Sequence, residues 1–183
     1  MYSFRNDYSE GAHPKVLQAL ADTNLRQTVG YGMDPCCQAA ADTIRRLCAA
    51  PDAAVHFLVG GTQVNLVTID AFLQSYEAVV AAQTGHVSTH ETGAIEATGH
   101  KVCTVESPDG KLTPALVESV LAGHNGTEHM VLPRMVYISD TTEIGTVYTR
   151  AELAALRQCC DVHGLFLYLD LSLIHISEPT RRS

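Results

Sequence analysis

Three stretches of this chain leave few folding options: "EAVVAA" at residues 77–82, "RMVYISD" at 134–140 and "LFLYLD" at 165–170. Each is a nearly unbroken apolar run, too short for a core helix and lacking the in–out alternation of a strand with one wet face. Such runs are strands covered on both sides. Helix-forming segments separate them, and a strand–helix alternation of this kind predicts an α/β fold: a three-layer sandwich around a mainly parallel sheet. In such sheets, ligands gather at the carboxyl ends of the strands.

The rest of the chain supplies the connecting elements. Residues 14–24, "PKVLQALADTN", predict a helix with Pro14 in its first turn. "YGMDP" is a turn, after which Asp34 caps a second helix that begins at Pro35 and runs to about Ala49. "AVHFLV" (54–59) reads as a short buried strand, and "GGTQVNLVTIDAFL" (60–73) opens a helix. "KVCTVES" (101–107) is strand-like, Thr113 and Pro114 start a helix to about Ala122, and Thr149 with Glu152 forms a capping box for a helix to Cys160. The loops after Val59, Ala82, Ile138 and Leu169 are therefore expected along one sheet edge.

Composition excludes several classes. In 183 residues, 46% hydrophobic and 17% charged content is that of a folded domain rather than a disordered chain. A net charge of −8 without a basic stripe argues against a nucleic-acid partner. No apolar run approaches a membrane span. The six cysteines show no CxxC and include two adjacent pairs, Cys36–Cys37 and Cys159–Cys160. With a polar start, they are expected to be reduced thiols in a cytoplasm.

Three features could carry chemistry. "VGGTQVN" joins a strand to a helix, and its glycines, Gly60 and Gly61, either cradle an anion at the helix N-terminus or serve a tight turn. The stretch at 84–100 concentrates His86, His90, Glu91, Glu96 and His100. It departs from HExxH because Ala94 stands where the second histidine belongs. A helical His86/His90 pair could hold a metal, an imidazole could stack on a planar ligand, or the histidines could be plain surface residues. Asp170 ends its strand as a partner for a protonated ring nitrogen, a metal ligand or a strand cap. An anion cradle, an imidazole and a strand-end carboxylate together suggest pyridoxal 5'-phosphate.

"FRNDYSEGAHP", "YGMDP", "VGGTQVNL", "TGHVSTHETGAIEATGHK", "YISDTTEIGTVYT" and "HGLFLYLD", in this order from Ser3 to Asp170, resemble the threonine aldolase / β-eliminating lyase family. The resemblance implies a pyridoxal-phosphate enzyme on the aspartate-aminotransferase-type fold, a homo-oligomer with small amino-acid substrates. By it, Gly60, Gly61 and Thr62 would bind the cofactor phosphate, His86 would cover the ring and move protons, and Asp170 would hold the ring nitrogen. Asn6 would lie near the substrate carboxylate and Tyr31 would approach a neighbouring subunit's site. Glu91 falls in the family's His-to-Glu stretch. Met33 and Thr142 stand where an acidic residue and a histidine are common. The implied reaction is aldol cleavage of a β-hydroxy amino acid to glycine and an aldehyde. The alternatives are β-elimination or racemisation on the same fold, or a metal-dependent hydrolase using His86, His90 and His100.

Leu171 stands where the family continues Gly-Ala-Arg, and "LSLIHISEPTR" (171–181) reads like an in-frame translation of a sequencing-library adapter. Residues 1–170 are accordingly expected to form an incomplete large cofactor-binding domain, with 171–183 foreign to it. The family's Schiff-base lysine lies beyond Asp170, and none of Lys15, Lys101 and Lys111 matches it. The chain by itself is expected to be inactive.

Overall fold

The computed structural model describes residues 11–124 and 126–171. The chain divides into two compact units, residues 1–59 and 60–183. The first unit contains α1 (Pro14–Thr23) and α2 (Pro35–Leu47). Both begin as their sequences dictate, with proline in the first turn, where its missing N–H is no loss. Asp34 caps α2 by accepting the Cys36 and Cys37 amides at 2.8 and 3.0 Å. The strand expected at 54–59 does not form. Phe57, Leu58 and Val59 are exposed, and the described residues of their own unit include no strand that could offer a ladder of hydrogen bonds. Apolar content makes a segment fit for a sheet but cannot replace the neighbour that a strand requires.

The second unit is built on four parallel strands in the order β2-β1-β3-β4: β1 (Glu77–Ala82), β2 (Lys101–Val105), β3 (Leu132–Ser139) and β4 (Phe166–Asp170). Every residue of the inner strand β1 is buried. Side chains alternate between faces, so each inner strand feeds two cores. Val79, Ala81, Met135 and Tyr137 pack with Ile69 and Leu73 of the segment around α3 (Gly61–Phe72), and with Val87 and Ile95. Val80, Val136 and Ile138 pack on the other face with Val117 of α6 (Pro114–Gly123) and with Leu156 and Cys160 of α7 (Arg150–His163). This is the expected three-layer arrangement. Two one-turn helices, α4 (His86–Thr89) and α5 (Ala94–Ala97), follow β1. Thr92 and Gly93 have positive φ and keep the two from merging.

The capping box is present on α7: Thr149 Oγ1 accepts the Glu152 amide at 3.2 Å, and Glu152 Oε2 accepts the Thr149 amide at 2.6 Å. Glu152 also takes the Lys111 ammonium at 2.6 Å. Lys111 and the two Thr149 contacts pull the Glu152 carboxyl down from 4.5 to about 2. All six cysteines are free; Cys103, Cys159 and Cys160 are buried, Cys37 is half-buried, and Cys36 and Cys48 are exposed.

Two predictions follow from this packing. Leu156 is fully buried between helix and sheet, so Leu156→Ala lowers the urea unfolding free energy by about 2–5 kcal/mol. A carboxyl whose folded pKa is depressed stabilises the fold above its unfolded value, and that contribution is lost as the pH falls through the folded one. The Glu152 contribution is thus complete above about pH 4.5 and disappears towards pH 2; Glu152→Gln removes that part of the acid limb of a stability–pH profile.

Candidate active site

Parallel strands put the carboxyl ends of β1, β3 and β4 on one edge of the sheet, and the polar residues that the apolar runs lack are collected there. Asp170 ends β4 and pairs in register with Ser139 at the end of β3. Its Oδ2 accepts the Tyr137 hydroxyl at 2.6 Å and the Asn65 side-chain amide at 3.1 Å. Asn65 is buried in the second turn of α3. Its amide nitrogen also donates to Glu91 Oε1 at 2.5 Å, and its carbonyl oxygen accepts the Tyr168 hydroxyl at 2.6 Å. Glu91, buried just after α4, meets His86 Nδ1 at 2.7 Å. One hydrogen-bonded chain therefore runs from His86 through Glu91 and Asn65 to Asp170.

The protonation pattern follows from the partners. A carboxylate only accepts, so His86 Nδ1 carries the hydrogen in this contact, and Nε2 is the ring nitrogen that Glu91 does not engage. Burial, then the charge of Asp170 and the bond to it, push the Tyr137 phenol far above its usual range. Burial and Asp170 raise Tyr168 to about 12. Both phenols are donors at neutral pH. Glu91 Oε2 is buried without a hydrogen-bond partner among the described residues. A purely structural network rarely leaves a buried carboxylate oxygen unsatisfied, and such groups concentrate at functional sites.

The glycines were read either as a cradle or as a tight turn, and the backbone removes the second reading. Gly60 is extended at φ −166° and Gly61 is helical. A Cβ at either position would meet no atom of the described residues within 4 Å. Neither conformation nor internal packing demands glycine there, while close approach of a ligand to the backbone would. Gly60 gives α3 no side-chain cap, and Thr62 is exposed in the first turn of the helix, where backbone N–H groups and the helix dipole favour an anion. Asn65 lies four residues further on, roughly 6 Å along the axis, and ties this helix end to Asp170. An anion cradle, a strand-end carboxylate and an imidazole in one unit fit a phosphorylated, ring-nitrogen cofactor.

Several expectations need correction or fall elsewhere. His86 and His90 are near neighbours, with ring centroids 5.6 Å apart, but His100 does not join them. It is buried at the amino end of the sheet, where its Nδ1 is 3.2 Å from the Glu77 carbonyl and its Nε2 is 3.5 Å from Asp70. Strand β1 separates the two ends by about 20 Å, so the three-histidine metal reading does not assemble. Thr142 is buried and bonded to Thr146 at 2.7 Å, apart from the His86–Asp170 chain. Tyr31 and Met33 belong to the first unit and are exposed, Tyr31 with φ 63°. Asn6 lies outside the described residues. Lys15 is on α1, Lys101 opens β2 at the amino edge, and Lys111 is held protonated by Glu152, which raises its pKa.

Asn65, Tyr137 and Tyr168 were missed as site residues. Their signal was strand register: Tyr168 shares a strand face with Asp170 two residues on, and Tyr137 pairs with Tyr168 across the ladder. Asn65 was visible only as a polar residue four before Ile69 on the buried face of α3.

Comparison with known proteins is consistent with this geometry. The chain is 36% identical over 169 residues to a low specificity L-threonine aldolase of Pseudomonas sp. and 35% identical to one of Pseudomonas aeruginosa. Each alignment covers 91% of the chain and 48% of the relative, so the chain spans about half the length of the curated relatives it matches. The Leishmania major threonine aldolase structure superposes with a TM-score of 0.93 at 53% identity, covering 98% of this chain and 53% of that one. An aminotransferase from Mycobacterium tuberculosis, 20% identical with a TM-score of 0.67 over 89% of this chain and 44% of its own, shares the fold. The sheet is thus that of the aspartate-aminotransferase-type enzymes. The beta-eliminating lyase profile matches residues 4–172, and the chain belongs to the beta-eliminating lyase family.

Proposed function

We propose that the chain is the cofactor-binding part of a pyridoxal-phosphate-dependent lyase that cleaves a β-hydroxy amino acid to glycine and an aldehyde, as a threonine aldolase does. The observation that carries this is the continuous path from His86 through Glu91 and Asn65 to Asp170, with Asn65 tying it to the glycine-led helix α3. The names of the relatives support the same reaction.

Each residue has a definite task in this reading. The α3 amides with Gly60, Gly61 and Thr62 hold the phosphate. Asp170, oriented by Tyr137 and Asn65, would be the partner of the ring nitrogen and would favour its protonated form. When bound, the cofactor supplies an electron sink for the pair left on Cα as the Cα–Cβ bond breaks. His86 takes the β-hydroxyl proton on Nε2, directly or through water, and Glu91 stabilises the imidazolium that forms. Asn65 separates the two carboxylates, so that Glu91 serves His86 while Asp170 serves the ring. A second copy of the chain is the partner suited to cover the exposed Tyr31, Leu25 and Met33. The six free thiols suit a reducing, cytoplasmic setting.

The binding reading is tested by titrating the chain with pyridoxal phosphate and following cofactor absorbance. Reversible binding is expected, weakened by Asp170→Asn and by Gly61→Val, with no borohydride-fixed lysine adduct and no glycine released from threonine. Absence of binding refutes the cofactor assignment, whereas one stoichiometric adduct on Lys15, Lys101 or Lys111 refutes the assignment of the tethering lysine to the region after Asp170.

A second prediction concerns Asn65. Asn65→Asp buries a third carboxyl between buried Glu91 and half-buried Asp170 and lowers unfolding free energy at neutral pH by about 2 kcal/mol or more. Burial and like charge raise the folded-state pKa of the introduced group, so its cost is present at neutral pH and is relieved as the pH falls through that value. Asn65→Ala gives a deficit without that relief; equal pH dependence in the two variants contradicts the two-carboxylate arrangement.

A further inference from the structure

The opposite face of the sheet carries a separate cluster that the reaction does not use. Glu118 on α6 and Cys159 and His163 on α7 bring a carboxylate oxygen, a thiol sulfur and an imidazole nitrogen within 4.8 Å of one another. Cys159 and His163 are four apart on a helix capped at both ends, so they project from one face as a fixed pair. Glu118 reaches them from the facing helix, with its Oε1 3.7 Å from His163 Nε2.

That separation decides the chemistry. Ligands of a tetrahedral zinc ion at ordinary bond lengths lie roughly 3.4–3.8 Å apart. The Glu118–His163 edge already has this value, and the other edges need at most about 1 Å of side-chain adjustment. The cysteine supplies an independent indication. Cys159 is only 6% exposed, yet its thiol has no hydrogen-bond partner among the described residues and lines a surface cleft together with Glu118, Gln158 and His163. A buried polar atom without a partner, at the floor of an open cleft, marks a place where a ligand can be received. The donors are one thiolate, one carboxylate and one neutral imidazole, whose combined charge balances a divalent ion.

We infer that Glu118, Cys159 and His163 form a site for a thiophilic divalent cation of the zinc class, clamping the last turn of α7 to α6. A water completes the fourth position. Binding breaks the Cys159 S–H bond, the sulfur keeps the electron pair for the metal, and the proton passes to the buffer. Hard cations such as magnesium are disfavoured by the thiolate and the small number of oxygens. The site is independent of the lyase reading, since none of its residues touches the His86–Asp170 chain.

The test uses the whole chain and cobalt(II), whose thiolate charge-transfer band reports sulfur ligation directly. One equivalent is expected to produce the band and to raise the unfolding midpoint. The band is expected to vanish in Cys159→Ser and to persist in the Cys36→Ser/Cys37→Ser double variant, which removes the adjacent thiols of the first unit, one exposed and one half-buried. His163→Gln and Glu118→Gln change exposed side chains and leave the core intact; each weakens apparent affinity by about tenfold or more. Zinc displaces cobalt with loss of the band. The inference is overturned if cobalt gives no band, if the band survives Cys159→Ser, or if both glutamine variants bind as tightly as the parent chain.

Discussion

Strand β1 has no face left for water: all six of its residues are buried between β2 and β3 and between two layers of helices. Most other features of the second unit follow from that. A strand of Ala and Val covered on both sides stabilises the fold only if each face meets a complementary apolar surface, and the alternation of side chains divides the core in two. Ile69 and Ile95 close one side, and Val117 and Leu156 close the other. With the faces occupied, the carboxyl edge is the place where polar groups can collect without being buried in hydrocarbon.

At that edge the dominant problem is electrostatic. Glu91 and Asp170 both accept from the same amide nitrogen, that of Asn65. Asn65 resolves the conflict because a neutral amide carries two N–H groups, one for each carboxylate, and an oxygen for Tyr168. A lysine would compensate the charge but would bind both acids as one group. An aspartate would add to the repulsion. The amide keeps the two carboxylates electrically distinct, which is what two different tasks demand. The phenols of buried Tyr137 and half-buried Tyr168 contribute in the same way, as donors that stay neutral.

The contrast between the two units is physical as well. Helices α1 and α2 are determined locally: proline in the first turn, an Asp34 cap on α2 and a helical pattern suffice to start them. Segment 54–59 is as apolar as β4, yet it forms no strand in its unit. A helix satisfies its backbone internally, whereas a strand depends on a neighbour that may be far away in sequence.

The chain's own pattern was sufficient for the α/β class, the parallel sheet, most element boundaries, the capping box on α7 and the roles of His86 and Asp170 as candidates, because each is a matter of local chemistry or of short-range period. It also marked "VGGTQVN" as a loop of interest, but not why the glycines are there. Tertiary structure alone decided that Gly60 and Gly61 have unstrained backbones and, among the described residues, room for a Cβ. It alone decided that His100 faces the wrong end of the sheet, and that Asn65 meets Asp170 across 105 residues. Those outcomes depend on register and on which elements become neighbours. Residue spacing along a chain carries no information about either until the sheet order is set.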